Sequence, residues 1–371
     1  MSLIIKQNLC TITINSFRTL ATTTTIPKKK TSVAQLTTNE ELSSIVSQFP
    51  PQDYAFGYGS GVLRQQSTAS PGMIDIIFAA DNPHTWHTHN LQSHSNHYSY
   101  MARLGGVNFI TWIQTNFGAK IYFHPFVDIK LQFNSDTIQR QIKYGVVSTY
   151  DLIKDLLKWD YLYLAGRMHK PIVSIDLKSN DALRQRNDRA DEIEEAQRIN
   201  LLSAVSASLL LLSNNNTIPT SQLYNTIASL SYTGDFRMQT GAEDPNKVKK
   251  LVETPGMLDL WDDKYSDTLD NLQKLGLISV SNGSKGKQLK TNLTDVAIRK
   301  QLVQHLPRRL RKHSDSIAGS ADNKGSSILR EELANIVSPA AKSQSIKGFF
   351  TAGVVKSWRY ALAKLKKGRI K

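Results

Sequence analysis

Tyr54-Ala55-Phe56-Gly57-Tyr58-Gly59-Ser60-Gly61 begins as an aromatic-rich apolar run and ends in a glycine-serine turn, and Gly72-Met73-Ile74-Asp75-Ile76-Ile77-Phe78 is a second apolar run that carries one carboxylate. The pattern predicts two β-strands joined by a turn. Glycine lets the backbone approach a phosphate and direct N–H groups at it. An acid on the adjacent strand can hold a magnesium ion that neutralises the same phosphates. We therefore expect chemistry on a nucleoside triphosphate; the alternative is a tight β-turn beside an incidental Asp.

The positive charge of the chain is concentrated at its two ends. The 371 residues carry a formal charge of +15, with 46 basic and 31 acidic side chains. Residues 1–39 hold five basic side chains and no acid, and residues 342–371 hold nine and no acid. Removing those fourteen leaves 32 basic against 31 acidic side chains, a net of +1. The near-neutral body argues against a nucleic-acid partner, so the ends need separate explanations.

The N-terminal segment has the composition of a targeting sequence. Residues 1–33 are rich in Ser and Thr, contain Lys6 and Arg18, and have no acid, which is typical of a mitochondrial transit peptide. A basic tail without a targeting role is the alternative. Cys10, the only cysteine, lies in this segment, so the body has no thiol for a disulfide, thiolate catalysis or a metal. The longest apolar stretch, Leu201–Leu212, is interrupted by serines and too short to span a bilayer, so we expect a buried helix.

The rest of the chain divides into four segments. Residues 44–217 alternate strand-like and helical patterns, which predicts an α/β domain. Residues 218–313 read as helices followed by a hairpin near Leu277–Leu293, a pattern that resembles a winged-helix module. Residues 314–342 are predicted to be a linker, and residues 343–371 a basic tail.

Candidate phosphate ligands follow the two strands. Lys143 lies in the strand-like run Lys143–Ser148, where a solvent-facing lysine is the ordinary alternative. Arg167 and Lys170 lie in a run that a glycine and a proline stiffen, and both side chains suit phosphate oxygens. Asp235 and Arg237 form an Asp-x-Arg pair behind another glycine.

Five histidines occur between residues 84 and 97. Their spacing matches no closed four-ligand zinc pattern. We favour hydrogen bonds from His87 and His97 to phosphate or to structural carbonyls.

Seven ordered blocks together resemble one family. They are Tyr58-Gly59-Ser60-Gly61, Ile74-Asp75, Trp86-His87 with His97-Tyr98-Ser99, Lys143-Tyr144-Gly145-Val146, Leu164-Ala165-Gly166-Arg167 with Lys170-Pro171, Gly234-Asp235-Phe236-Arg237-Met238, and Lys347-Gly348 with Phe350-Thr351-Ala352-Gly353. The chain is similar to the mitochondrial phosphatidate cytidylyltransferases, also called the translocator assembly and maintenance family. The resemblance covers roughly Phe49 to the C-terminus.

The resemblance implies an α/β (α+β) fold: a polymerase-β-type nucleotidyltransferase domain, a smaller winged-helix-like domain and a C-terminal amphipathic basic helix. It implies an enzyme that joins CTP to phosphatidic acid with magnesium, giving CDP-diacylglycerol and pyrophosphate. It also implies a peripheral position on the matrix side of the mitochondrial inner membrane, upstream of cardiolipin.

Site roles follow from the same resemblance. Asp75 and Lys143 are expected to be catalytic. Nucleotide or phosphate binding is expected of Gly57, Tyr58, Gly59, Ser60, His97, Arg167 and Lys170. Asp75 is the expected magnesium ligand; the wider superfamily carries two acids one residue apart on this strand, whereas Met73 and Ile77 flank Asp75 here. The second ligand stays open between Asp155 and Asp235.

Two other functions remain alternatives: a nucleotidyltransferase that acts on RNA, and a non-enzymatic assembly factor for the mitochondrial import machinery. In-line displacement on a nucleotide requires positioning and charge neutralisation rather than a covalent protein intermediate. The sequence contains no obvious Ser-His-Asp or Cys-His set, which is consistent with such a displacement.

The C-terminal segment has an apolar stripe at helical spacing. Basic residues fill the rest of the surface, as in a helix that lies in a membrane interface. We expect the following side chains to bind an anionic leaflet: Lys356, Trp358, Arg359, Leu362, Leu365 and Lys366. The alternative is a helix packed on the protein's own core.

Overall fold

The computed structural model describes residues 33–63, 72–133, 136–175, 187–212, 216–241, 243–283, 286–319 and 323–352. The described residues from Asn39 onward belong to one compact unit of mixed α/β structure. Its strands are β1 (Tyr54–Tyr58), β2 (Ile74–Ala80), β3 (Ile121–Phe133), β4 (Asp136–Ser148), β5 (Ile172–Ser174), β6 (Thr217–Pro219), β7 (Ser279–Gly283) and β8 (Gly286–Lys290). The helices are α1 (Val33–Val46), α2 (Pro83–Ser93), α3 (Tyr100–Asn116), α4 (Thr149–Lys158), α5 (Leu164–Met168), α6 (Asn187–Leu211), α7 (Thr220–Leu230), α8 (Phe236–Gln239), α9 (Lys247–Glu253), α10 (Met257–Lys274), α11 (Val296–Gln304), α12 (Arg308–Arg311), α13 (Ser314–Gly319) and α14 (Asn323–Ala352), with a 3₁₀ turn at Ser95–His97.

The larger sheet has five strands in the order β3-β4-β2-β1-β5. Strands β2 and β4 pair in parallel, and the other neighbours are antiparallel. The two predicted strands that the glycine-serine turn separates are confirmed as β1 and β2, which pair directly. Pairing of β2 with the later strand β4 then places residues far apart in the sequence side by side.

The two faces of this sheet bury different side chains because strand residues alternate between faces. Phe56, Ile77 and Val147 point to the first face, where α4, α5 and α6 cover the core. Ile76, Phe78, Tyr144 and their neighbours point to the second face, where side chains of α1 and α2 pack. The same alternation puts Tyr58, Asp75 and Lys143 on the first face.

One strand replaces two of the predicted strands. The patterns at Lys120–Phe123 and Ile129–Phe133 predict separate strands, but Ile121–Phe133 forms the single strand β3. The register with β4 shifts between His124 and Val127. Pro125 has no N–H to donate, and Phe126 has a φ of 53°, so the strand continues through a bulge there.

The second sheet joins the later helices to the same core. The hairpin predicted near Leu277–Leu293 is confirmed as β7 and β8, and β6 adds a third strand in the order β6-β8-β7. Leu289 of β8 and Trp261 of α10 belong to the cluster that also contains Phe56 of β1. The apolar stretch at Leu201–Leu212 is a buried helix through Leu211, as expected.

The linker prediction for residues 314–342 is wrong in its secondary structure. This segment forms α13 and most of α14. The segment is polar in overall composition, but it has apolar residues at helical spacing. Four of these are buried in the main core: Leu329, Leu333, Ile336 and Val337. Burial of that stripe stabilises the helix.

The basic tail predicted at 343–371 is described only through Ala352, as the last turns of α14. The expected membrane-binding residues, which begin at Lys356, lie outside the described residues, as does almost all of the predicted transit peptide. Within the described ranges, no helix combines the length and apolar content that a bilayer span requires.

Candidate active site

An acid and a base meet at the centre of the five-stranded sheet. Asp75 of β2 and Lys143 of β4 are register partners, and Lys143 Nζ lies 3.5 Å from Asp75 Oδ1. Their side chains are 22% and 18% exposed, so the pair is reachable from solvent. The Lys143 ammonium also lies 4.6 Å from the ring centroid of Phe123. The contact with Asp75 holds the lysine beside the first face rather than in bulk water.

Tyr58 lies beside this pair and carries an unpaired hydroxyl. It is the register partner of Asp75 on β1 and is 4% exposed. Its buried hydroxyl makes no hydrogen bond within the described part of the chain. Burial, followed by the nearby Asp75 carboxylate, raises the pKa of this phenol, so it stays protonated. A buried donor without a partner is unusual in a folded protein, and a ligand oxygen would satisfy it.

Arg167 of α5 adds a fixed positive charge to the same place. Its guanidinium carbon lies 4.2 Å from the Tyr58 ring centroid, a cation–π arrangement. The charges of Lys143, Arg167 and Asp75 therefore lie near Tyr58 on the first face. This charge balance suits an anion that brings its own metal ion.

The turn after β1 brings backbone up to the acid. Gly59 has a φ of 78°, and a Cβ built on it would lie 3.6 Å from Asp75 Oδ2. The amides of Val62 and Leu63 close the turn on the Gly59 carbonyl. Gly61 passes so close to Met73 that a Cβ would clash with its carbonyl oxygen. Two glycines are thus required for different reasons, one for conformation and one for close approach.

A second cationic group lies next to Arg167. Lys170 is buried, and its Nζ donates to Gly166 O at 2.6 Å and to Ser231 Oγ at 2.9 Å. The ammonium groups of Lys170 and Lys247 lie 4.9 Å and 5.5 Å from the Tyr232 ring centroid. Burial, followed by the charges of Arg167 and Lys247, lowers the pKa of Lys170 well below its ordinary value. An anion bound here would favour the charged lysine.

Gly166 explains how these groups come together. A Cβ at this position would lie 2.2 Å from Ser231 Cβ, so only glycine lets α5 approach the turn after α7. Arg167 and Lys170 follow directly on α5 and at its end. The Leu164-Ala165-Gly166-Arg167 block is thus a contact between the two halves of the chain as well as a source of cations.

Comparison with known proteins gives the family. The sequence model described as "Phosphatidate cytidylyltransferase, mitochondrial" matches residues 42–367. The chain is 36% identical to the Bos taurus protein of that name over 337 residues, covering 87% of this chain and 92% of the relative. The Xenopus laevis protein of the same name is 37% identical over 336 residues, with coverage of 86% and 92%. The Schizosaccharomyces pombe protein is 33% identical over 352 residues, with coverage of 89% and 84%.

This chain belongs to the mitochondrial phosphatidate cytidylyltransferase family.

Several residues that the family resemblance singled out lie together. Tyr58, Gly59, Asp75, Lys143 and Arg167 converge on the first face of the sheet. Ser60 follows Gly59 and is exposed, and Lys170 lies one step further, beyond Arg167. Four of the seven family blocks thus meet in space.

His97 lies elsewhere. Its Nδ1 is 3.0 Å from the Tyr144 hydroxyl, and Tyr144 points to the second face. Because successive residues of β4 point to opposite faces, this contact separates His97 from Lys143, and the phosphate contact expected of His97 stays a prediction. Its neighbour His87 is buried between Tyr98 Oη and Gln114 Oε1, at 2.8 Å and 2.9 Å. These contacts favour a structural role for both imidazoles.

Gly57 is likewise a packing residue. It lies between Tyr58 and Phe56, on the second-face side of β1, and a Cβ there would press on Val62 and Leu42 at 3.0 to 3.3 Å. These contacts support a packing role, and the phosphate role expected for Gly57 stays a prediction. The glycine lets the turn and α1 pack on the sheet.

Asp155 is engaged by the backbone. Its Oδ1 accepts from the amides of Tyr161 and Leu162, and its Oδ2 from Leu164 and Ala165, at 2.8 to 3.0 Å. The loop that it holds contains Trp159 and Leu162, both with positive φ. Burial raises the pKa of this carboxyl although the four hydrogen bonds oppose the shift. Asp155 thus fixes the start of α5 and the approach of Arg167, and we do not carry it forward as a magnesium ligand.

The Asp235 carboxylate also has partners within the protein. It caps α8 through the Arg237 amide at 3.0 Å and forms an ion pair with the Arg237 guanidinium at 2.6 Å. Within the described ranges, no three side chains of His, Asp, Glu or Cys lie close enough to hold a metal together. The three acids expected to bind magnesium therefore do not form one cluster.

A single carboxylate can still hold a magnesium ion. Mg²⁺ is commonly held by one or two carboxylates together with substrate phosphates and water. Asp75 is partly exposed, faces the Gly59 turn and has cations beside it for the phosphates. The residues present therefore fit an ion that arrives with the nucleotide.

Sequence reasoning did not select three residues of this region. Phe123 supports Lys143, while Tyr232 and Lys247 surround Lys170. Ser231 and Tyr232 lie three and two residues before Gly234, so proximity to that motif is an available signal. No local pattern indicates that Phe123 lies against Lys143, because the contact depends on the pairing of β3 with β4.

Proposed function

We propose that this chain is a phosphatidate cytidylyltransferase that converts CTP and phosphatidic acid to CDP-diacylglycerol and pyrophosphate. Family membership supplies the reaction. The observation that carries the assignment to a site is the Asp75–Lys143 pair beside the unpaired Tyr58 hydroxyl and Arg167. These groups offer a metal ligand, two cations and one buried neutral donor on the first face of the sheet.

The reaction is an in-line displacement. A phosphate oxygen of phosphatidic acid forms a bond to the α-phosphorus of CTP, and the bond from that phosphorus to the bridging oxygen of pyrophosphate breaks. The electron pair leaves with pyrophosphate. The attacking phosphate is already ionised near neutral pH, so the displacement requires no general base.

Each residue has a distinct task in this displacement. Lys143 and Arg167 neutralise phosphate oxygens, and Tyr58 donates a hydrogen bond to one of them. Gly59 and Ser60 let the triphosphate approach the backbone, and Lys170 extends the cationic surface away from Asp75. Asp75 would hold magnesium, which supplies further charge neutralisation on the phosphates when bound.

The finer architecture and location form part of the proposal. We assign residues 44–217 to a polymerase-β-type nucleotidyltransferase domain and residues 218–313 to a winged-helix-like domain. We place the protein peripherally on the matrix side of the mitochondrial inner membrane, with residues 1–33 as a transit peptide. Within the basic tail at 343–371, we assign membrane binding to residues 353–371, because Ser343 and Lys347 bind the backbone of the folded unit. The product of the enzyme would feed cardiolipin synthesis. The mitochondrial names of the relatives support the compartment.

The test uses purified full chain with magnesium, CTP labelled at the α-phosphate, and phosphatidic acid in mixed micelles. We expect the label in a lipid product whose appearance matches the release of pyrophosphate. Parallel reactions replace CTP with ATP, GTP or UTP, and phosphatidic acid with RNA. Transfer to RNA would favour the RNA-modifying alternative, and no transfer to any acceptor would favour a non-enzymatic assembly factor.

A further inference from the structure

Helix α3 presents large apolar side chains to solvent. Tyr100, Met101, Leu104, Trp112 and Phe117, which immediately follows the helix, are between 43% and 68% exposed. The opposite side of the same helix is already buried: Ala102 and Ile110 pack with Tyr98 and Tyr122. A helix that is apolar on both its buried and its exposed sides is unusual for a surface element. We call these five exposed residues, with Phe109, the α3 surface.

A kink does not divide the α3 surface. Gly106 has a φ of 67° and interrupts the helix between Leu104 and Trp112. Phe109 spans the kink, because its ring lies so close to Gly105 that a Cβ there would be 2.6 Å away. Phe109 in turn stacks on Trp112, with ring centroids 6.3 Å apart, and Trp112 meets Phe117 edge-on at 5.2 Å. The aromatic side chains form a continuous row.

The fixed charges of the sequence segment that contains the α3 surface have one sign. No Asp or Glu occurs from Asn82 to Val127, whereas Arg103 lies on the helix and Lys120 follows it. Trp and Tyr among aliphatic side chains, with cations and no acid, suit the boundary between headgroups and acyl chains of an anionic bilayer. Binding of a water-soluble protein would not require a segment without acidic residues.

Helix α14 connects this surface to the C-terminal end of the chain. Ser343 Oγ accepts from the Gly118 amide at 2.8 Å, and Lys347 Nζ donates to Gln114 O at 3.0 Å and to Phe117 O at 2.9 Å. Ile346, beside Lys347, is 63% exposed. Six residues after Lys347 the sequence enters 353–371, which holds Trp358, seven basic residues and no acid. Helix α14 thus contacts the C-terminal end of α3, and the basic segment 353–371 follows α14 in the sequence.

We propose that the α3 surface is a docking site for an anionic lipid bilayer. The inference rests on the proposed function to the extent that phosphatidic acid resides in a membrane. Insertion of Leu104, Phe109 and Trp112 among the headgroups holds the unit on the bilayer from which this substrate is taken. This contact is formed by the folded unit and is separate from any contact that residues 353–371 make.

The test compares two double variants of the full chain. Leu104→Ser with Trp112→Ser alters the α3 surface, and Leu258→Ser with Leu275→Ser removes comparably exposed apolar side chains near the two ends of α10 as a matched control. Co-sedimentation uses phosphatidylcholine vesicles with and without phosphatidic acid. For the α3 variant we expect an approximately tenfold or greater loss of partitioning into phosphatidate-containing vesicles. The control should bind like the unaltered chain.

Two further measurements separate the outcomes. Unchanged transfer to a short-chain, water-soluble phosphatidate would show that the α3 variant keeps a folded active site. Equal partitioning of the α3 variant and the unaltered chain would overturn the proposal. Equal partitioning together with a shift from dimer to monomer on gel filtration would assign the surface to a second copy of the chain. If the α3 variant loses partitioning and the unaltered chain transfers no cytidylyl group, the lipid-docking proposal is supported and the proposed activity is rejected.

Discussion

Lys143 Nζ lies 3.5 Å from Asp75 Oδ1, across the parallel pairing of two strands that are 68 residues apart in sequence. Parallel pairing requires a crossover connection, which here includes α2, the 3₁₀ turn, α3 and β3. The register of that pairing places both side chains on the first face at the same level. A slip of one residue would bring Tyr144 rather than Lys143 beside the acid.

Replacement of the lysine tests whether it binds phosphate. For Lys143→Ala we expect turnover or CTP binding to weaken by about 10- to 100-fold, since a fixed cation beside the phosphates is lost. Steady-state kinetics on folded protein measures the effect. Lys130→Ala, which removes an exposed lysine on β3, is the control and should be almost silent. An equally silent Lys143→Ala would return this residue to the role of a solvent-facing strand lysine.

Because the Tyr58 hydroxyl is unpaired in the described structure, we expect its removal to lower turnover without lowering stability. Tyr58→Phe should leave the melting temperature without nucleotide unchanged or slightly raised, because the buried hydroxyl has no partner in the described structure. Turnover should fall by about tenfold if the hydroxyl donates to a phosphate oxygen. Thermal melts with and without CTP, together with kinetics, measure both effects.

Tyr54→Phe is the matched control on the same strand. The Tyr54 hydroxyl lies 2.6 Å from Ser174 Oγ. Its removal should cost about 1 kcal/mol of stability and leave turnover unchanged. The opposite pattern, with a stability loss in Tyr58→Phe and no kinetic effect, would mean that Tyr58 has a structural partner and no substrate contact.

We predict that Asp155 holds the loop before α5 in place and does not bind magnesium. Asp155→Asn turns an NH₂ group toward backbone donors and should destabilise the fold by roughly 2–4 kcal/mol. Asp160→Asn, which breaks only a partly exposed pair with Lys154, should cost less than about 1 kcal/mol. Urea unfolding measures both values. A fully stable Asp155→Asn variant that has lost magnesium-dependent activity would restore Asp155 as a metal ligand.

The buried His87 predicts a loss of stability in mild acid. Burial lowers the pKa of His87 from an ordinary 6.5 to about 4. Between these values the unfolded chain binds the proton more readily, so the free energy of unfolding falls as pH drops from 6.5 toward 4. The contribution of this residue reaches about 1.4 kcal/mol per pH unit.

His87→Gln should flatten that dependence. Urea unfolding of both proteins at several pH values from 7 to 4.5 isolates the contribution of His87, because other groups titrate in both. The variant should have the lower stability at pH 7 but the smaller slope below pH 6.5. Parallel profiles would show that His87 titrates normally in the folded state.

The sequence predicts the parts of the site that local pattern determines. The strand around Tyr54–Tyr58, the glycine turn and the strand with Asp75 each have a local signature, and the structure confirms those strands. Arg167 was selected by residue type. Its place over the Tyr58 ring depends on the loop that Asp155 holds and on the contact of Gly166 with Ser231, neither of which has a local signature.

Two differences between expectation and structure have specific physical causes. The family pattern predicts a phosphate contact for His97, but strand alternation sends its partner Tyr144 to the second face, so the contact stays a prediction. Polar composition predicts a linker at residues 314–342, whereas four buried side chains at helical spacing pack α14 on the core. In both cases the structure depends on packing between residues that are distant in the sequence, which composition does not predict.

The central claim, that catalysis occurs at Asp75, is tested most directly by transfer of label from CTP to phosphatidic acid by the unaltered chain and by Asp75→Asn. Asp81→Asn, an exposed acid just beyond the same strand, serves as the control. We expect Asp75→Asn to keep its melting temperature without nucleotide and to lose at least ~100-fold in turnover, the scale of a lost metal contact at the reacting phosphate. Near-normal turnover by Asp75→Asn would contradict the assignment of this site.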